Sequence, residues 1–299
     1  MKETHYLAVE TSNITEDWAD FLNQNRLTKL NKHPQTIEFD MLNVRFIKPH
    51  HVVSLACLIE EYHLKKIEIS FKNTSSKGAK YLEKLNFFQY WEEGFNRKDY
   101  RQTQIGTAFC LWKLHPEMIS PYTSMSTNYY RNHFFSGKDL QPLDTALVEI
   151  FNNIIDHAQS EVSGYVFTQY YPNKNEIVLS MCDFGKGIPN TINTFLKQEG
   201  KEPLTDDEAL EKAFEKGFST KSTPQNRGFG LNNVISAVKT LKSGLTITSN
   251  HGFVEQNSTY FRKRAIANNF PGTQIVIKLK TENLRPLETE EISEQEFYL

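Results

Sequence analysis

Apolar and polar positions first alternate regularly near Thr36. Residues 36–42 (TIEFDML) follow a period of two and predict a half-buried strand. Pro49, tolerated in a first helical turn, opens a run in which Val52, Val53, Leu55, Ala56, Leu58 and Ile59 supply an apolar face at helical spacing. Residues 65–71 (KKIEISF) predict a second strand. After the turn-like residues 73–78 (NTSSKG), residues 79–88 (AKYLEKLNFF) predict a second amphipathic helix. The order strand, helix, strand, helix is that of a small α/β domain.

Periodicity fades between Cys110 and Gln141, where residues 120–139 are rich in Ser, Tyr and Asn and suit a linker or docking segment. It returns at residues 143–160, which predict a helix. Leu147, Ile150, Phe151, Ile154 and Ala158 form its apolar stripe, and Glu149, Asn153 and Asp156 share the opposite face. Residues 164–171 and 176–183 are β-prone and joined by PNKN, a hairpin whose second strand ends at Asp183. Strands at 244–250 and 271–280, a helix near 231–241 and a longer irregular connection complete a mixed sheet with helices on one side. A length of 299 residues favours two units. We expect domains at 1–110 and 141–285, a linker at 111–140 and a solvated acidic tail at 286–299.

Charge narrows the function. Lys and Arg total 34 against 36 Asp and Glu, a formal charge of -2, which removes the global electrostatic case for nucleic-acid binding. Apolar runs are short, and the N-terminus lacks the basic-then-apolar order of a secretory signal, so a cytoplasmic protein without a membrane anchor is expected. Cys57, Cys110 and Cys182 stand far apart, as buried free thiols would, and suggest neither a zinc site nor a disulfide framework.

Three elements carry candidate chemistry. Glu149 and Asn153 lie one helical turn apart: an Asn oxygen suits Mg²⁺, and a neighbouring carboxylate can orient or deprotonate water. Exposed helix faces are also routinely polar. Next, Asp183, Gly185 and Gly187 directly follow a strand. The glycines let a ligand approach the main chain, and the carboxylate can accept a hydrogen bond from an exocyclic amine such as adenine N6; a strand-ending turn is the alternative. Last, Gly228, Phe229, Gly230 and Leu231 lead into a helix whose N-terminus offers free N–H groups to a polyphosphate, preceded by a hydrophilic segment with Lys221 that could close as a lid. A glycine turn with no ligand, and a solvated lysine, are the alternatives there.

Order and spacing together resemble the GHKL ATP-binding superfamily, which includes gyrase, mismatch-repair proteins, heat-shock chaperones and histidine kinases. The resemblance spans about residues 141–281: the Glu/Asn helix, the Asp-x-Gly-x-Gly turn, a long connection, the glycine loop, and Gly272-Thr273 opening a strand. It implies ATP and Mg²⁺ as ligands and the two-layer α/β sandwich called the Bergerat fold. By position it makes Glu149 the base, Asn153 the magnesium ligand and Asp183 the adenine-reading carboxylate. Asp156 becomes a nucleotide-facing position, Gly185 and Gly187 the first glycine box, Gly228 and Gly230 the phosphate loop, and Thr273 a support of the adenine contact. Ile154 stands where the family commonly has a small Ala.

The first half resembles a STAS-type domain over about residues 35–92. In signalling members a serine at the start of the corresponding helix is phosphorylated. Pro49 and His50 occupy those places here, and the nearest hydroxyl, Ser54, lies one turn inside, which argues against a phospho-switch in cis. The expected function is a Mg-dependent ATP-binding and hydrolysing signalling module whose nucleotide state governs a protein partner through the STAS-like domain, with a homodimer left open. Alternatives are an anti-sigma-type serine/threonine kinase acting on a separate protein and a non-hydrolysing scaffold. A sensor histidine kinase fits less well, because the sequence shows neither a two-helix hairpin carrying a His-Glu or His-Asp phosphoacceptor box before the ATP site, His115-Pro116-Glu117 not being that box, nor a membrane span.

Overall fold

Parallel neighbours in a sheet need a crossover between them, and the N-terminal third of the chain supplies two. The computed structural model describes residues 3–30, 34–157, 162, 164–215, 218 and 230–287, and of residues 153–157, 230–233 and 237 the backbone alone. Strands β1 (Thr4–Ala8), β2 (Thr36–Asp40) and β3 (Glu68–Lys72) form a parallel sheet in that order. Helix α1 (Thr15–Gln24) connects the first pair, α2 (Pro49–Leu64) the second, and α3 (Lys77–Lys84) follows. The expected β2, α2, β3 and α3 are all present. β1 and α1 precede the expected start: β1 buries only Leu7, and α1 only Trp18, Ala19 and Leu22, patterns too sparse to stand out as periodicity.

The second sheet is antiparallel, in the order β4-β5-β6-β8-β7. Its strands are β4 (Trp112–Lys113), β5 (Tyr165–Tyr171), β6 (Glu176–Asp183), β7 (Gly244–Asn257) and β8 (Phe261–Lys280). Helices α4 (Ile119–His133), α5 (Gln141–His157), α6 (Ile188–Gln198), α7 (Asp206–Ala213) and α8 (Gly230–Thr240) complete the chain. Side chains alternate across a strand. Ile177, Leu179 and Met181 of β6 therefore join Leu147, Ile150 and Phe151 of α5 and Val234 and Val238 of α8 in one core. Cys182, with Tyr165 and Phe167 of β5, faces the other way into a core shared with α2.

That second core changes the expected architecture. The sheet and helices α5 and α8 make the two layers expected of residues 141–285, and the remaining sheet face is covered by α2, with α1 packed along β8. A helix that is apolar around most of its circumference must be covered on all sides, and α2 buries 13 residues, from Pro49 to Tyr62. Polar contacts cross the same boundary. The Cys57 thiol donates to the Cys182 carbonyl at 3.2 Å, and Gln274 Nε2 donates to the His50 carbonyl at 2.9 Å. Glu60 accepts from the Tyr165 hydroxyl at 2.7 Å, pairs with Lys113 at 2.5 Å and lies 3.7 Å from Arg97. Burial alone would raise the Glu60 carboxyl pKa, but the Lys113 hydrogen bond, the charges of Arg97 and Lys113 and the Tyr165 hydroxyl hold it below the usual value.

Residues 111–140, expected as a linker, contain β4 and α4. The buried side of α4 consists of Tyr122, Thr123, Ser126, Thr127 and Tyr130, whose hydroxyls hide it from a hydropathy pattern. The Tyr122 hydroxyl is satisfied at 2.7 Å by Thr168 Oγ1, and Thr127 bonds Asp144. All three cysteines are buried free thiols. No described helix is long and apolar enough to cross a membrane. The segment from 288 onward, expected as an acidic tail, and Ala158 lie outside the described residues.

Removing one donor from a buried carboxylate tests how firmly the layers are joined. Tyr165→Phe is expected to lower stability by about 1.5–3 kcal/mol, the worth of a hydrogen bond to a charged group. Urea unfolding of the two proteins at neutral pH measures it.

Candidate functional site

At one end of the sheet three neighbouring strands place polar residues side by side on the face covered by α5 and α8. Asp183 of β6 pairs with Thr273 of β8, and Thr273 with Ser249 of β7. The Ser249 hydroxyl donates to the Gly272 carbonyl at 2.8 Å and accepts from the Ile188 N–H at 3.0 Å. Its one proton is thereby used, so the 3.0 Å contact with Thr273 Oγ1 has Thr273 as donor. Ser249 thus ties the start of α6 to β8, and donating to Ser249 leaves the Thr273 oxygen with acceptor capacity.

Asp183 is 2 % exposed. The Gly185 N–H donates to its Oδ1 at 2.7 Å, a turn that leaves the carboxylate with acceptor capacity for a further donor. Burial raises its pKa to about 7, and the Gly185 hydrogen bond opposes that shift. Two glycines make the turn feasible. Gly272 has φ +105°, and a side chain there would run into the Asp183 carbonyl and the Phe184 Cα. Gly187, with φ +83° at the start of α6, has no room beside Ser249 and Asn250. Asn250 Oδ1 is buried there without a hydrogen-bond partner among the described residues, a second acceptor at the same turn.

The expected residues fall into three groups. Asp183, Gly185, Gly187 and Thr273 are brought together, joined by Ser249, Asn250 and Gly272. Glu149 is half-buried on α5, the helix packed against α8 on this same side of the sheet. Asn153 and Asp156 continue α5 and Gly230 and Leu231 begin α8, all with only their backbone described; Lys221, Gly228 and Phe229 lie outside the described residues. Ser249 and Asn250 were not singled out from sequence. They read there as the end of a strand, and only the register reveals their neighbours.

The buried carboxylate and the Thr273 hydroxyl beside it suit a ligand that presents an N–H donor, as the adenine edge does. The first turn of an α-helix has N–H groups without an intrahelical partner, and α8 begins on the side of the sheet that carries α5. Residues 138–283 match the family of histidine kinase-, DNA gyrase B-, and HSP90-like ATPases. The matched segment is thus similar to ATP-binding domains of the GHKL class, which includes ATPases and kinases. The match starts at residue 138, so the N-terminal sheet and α2 lie outside it. No curated protein matches the chain.

Asp183, within the matched segment, has a pH signature of determined sign. Its folded pKa of about 7 stands above the ordinary 3.8, so between those values the folded protein holds a proton that the unfolded chain has lost. Its contribution to stability is fully present below about pH 4 and is lost as pH rises to about 7. Asp183→Asn is therefore expected to be more stable than wild type at about pH 8, by on the order of 1–4 kcal/mol, and to lack that decline. Urea unfolding of both proteins across this range checks it.

Proposed function

We propose that the chain is a Mg-dependent ATP-binding and hydrolysing signalling module whose nucleotide state governs a protein partner through its N-terminal STAS-like unit. The observation that carries this reading is the buried Asp183 carboxylate, held beside Thr273 by a glycine turn and facing the helical layer that contains Glu149. In this reading Asp183 takes the adenine amine and Asn153 supplies one oxygen to a Mg²⁺ carried on the phosphates. Glu149 orients or deprotonates the attacking water, and the loop through Lys221, Gly228 and Phe229 covers the nucleotide. Mg²⁺ supplies charge neutralisation to the phosphates when bound. Among the described residues no three His, Cys, Asp or Glu side chains form a metal cage, and a nucleotide-borne Mg²⁺ does not require one. We propose a cytoplasmic location and a homodimer as a compatible assembly.

A second reading, a serine/threonine kinase of the anti-sigma type, uses the same groups. If it holds, its acceptor lies on another protein. Ser54 is fully buried, donating to the His50 carbonyl at 2.7 Å and accepting from Trp18 Nε1 at 2.9 Å. His51 is equally inaccessible: Nδ1 accepts from the Lys48 N–H at 3.1 Å and Nε2 meets the Ser12 carbonyl at 2.9 Å. Burial lowers the His51 pKa to about 4, so its ring is neutral. In this reading Glu149, a candidate base one helical turn before Asn153, argues against a scaffold without turnover.

Incubation with γ-labelled ATP and Mg²⁺, following released phosphate and protein-bound label, separates these readings. Glu149→Ala is expected to bind ATP yet hydrolyse it at least about 100-fold more slowly, and Asp183→Asn to lose binding. Label transferred to a copurifying protein would favour the kinase. Hydrolysis undiminished in both variants would remove the site from consideration.

A further inference from the structure

Phe184, between the adenine-facing carboxylate and Gly185, points away from the helical layer and is buried in the core shared with the N-terminal unit. There the Arg26 guanidinium lies over its ring, 4.6 Å from the centroid. Arg26 is held unusually well for a long side chain. Its Nε donates to Glu61 Oε1 at 2.9 Å and Oε2 at 2.8 Å, and a terminal nitrogen meets Oε1 at 2.8 Å. Both neighbours are tied to α2 as well: Glu61 accepts from the Leu27 N–H at 3.1 Å, and the Tyr62 hydroxyl donates to the Asn25 carbonyl. A planar cation on a desolvated aromatic face is attracted to it, and a fork already fixed by a carboxylate loses little freedom in making that contact.

From these contacts we infer that Arg26, fixed by Glu61, is a positioning residue for the nucleotide site, holding the Asp183-Phe184-Gly185 turn from the face opposite the ligand. The inference rests on Asp183 being the residue that reads adenine. The turn is gripped from both sides. On one side Gly272 packs against the Asp183 carbonyl and the Phe184 Cα, and Gly185 caps the carboxylate; on the other, Arg26 anchors the ring between them. A shift of the Phe184 ring must move the Asp183 backbone, because the two residues are adjacent and close-packed. The N-terminal unit thereby contributes to base selectivity although it lies outside the matched segment.

The test uses the full chain and two variants that remove the contact by different routes. Arg26→Gln combined with Glu61→Gln withdraws the cation without leaving a buried carboxylate unpaired. Phe184→Leu keeps an apolar side chain and withdraws the aromatic face. Equilibrium titration with ATP and with GTP, alongside thermal unfolding, is the measurement. Each variant is expected to bind ATP roughly threefold to tenfold more weakly, with a narrowed preference for ATP over GTP, and their combination to lose no more than either alone. A merely structural contact would lower the unfolding temperature while leaving the nucleotide preference intact. Variants that discriminate ATP from GTP as well as wild type would overturn the inference alone. Wild-type protein that binds neither nucleotide would overturn the reading of the site, and the inference with it.

Discussion

A carboxylate withdrawn from water at the end of a central strand is costly, and much of the surrounding structure is arranged around that cost. Among the described residues Asp183, nearly inaccessible, has one hydrogen bond, from Gly185, where a structural carboxylate is stabilised by two or three donors. Groups with this combination of burial and under-satisfaction are more typical of binding sites than of cores. Thr273, Ser249, Gly187 and Gly272 shape the turn without neutralising the charge. A ligand with an exocyclic amine would supply what is missing, giving binding a local electrostatic reward that the folded protein forgoes when alone.

The second constraint is the covering of both sheet faces. A sheet with helices on one side would expose Tyr165, Phe167 and Cys182. Here α2 covers them, and the resulting boundary mixes apolar packing with a buried carboxylate bonded to three groups. Breaking such a boundary would expose apolar surface and strand Glu60 away from its cations, so the two units are expected to move as one body in the resting protein. The same boundary gives the N-terminal unit physical access to the strand that ends in Asp183, through Cys57 on Cys182 and Arg26 on Phe184.

Much of this was legible in sequence because a few signals are strong. Pro49 with its following apolar run, the Leu147, Ile150 and Phe151 stripe, and the PNKN hairpin correspond to α2, α5 and the β5–β6 pair. Asp183, Gly185, Gly187 and Thr273, singled out by order and spacing, meet at one turn. What escaped was carried by residues whose burial contradicts their polarity or by contacts set by register. Helix α4 buries hydroxylated residues, and β1 and α1 have too few apolar positions. Helices α6 and α7 fell within what read as a long connection, and β7 and β8 extend well past the apolar runs that announced them. Ser249, Asn250 and Arg26 acquire meaning only from pairing and packing across large sequence separations.

In the proposed reading Asp183, whose pKa lies at about 7, gives up its proton to accept from the adenine amine. Calorimetric titration of the wild-type protein with ATP in two buffers of different ionisation heat, under excess Mg²⁺ to keep the phosphates deprotonated, counts protons exchanged on binding. Release of roughly one proton at about pH 6, falling toward none at about pH 8.5, is the predicted result. Binding with no pH-dependent proton release, or no binding at either pH, would contradict it.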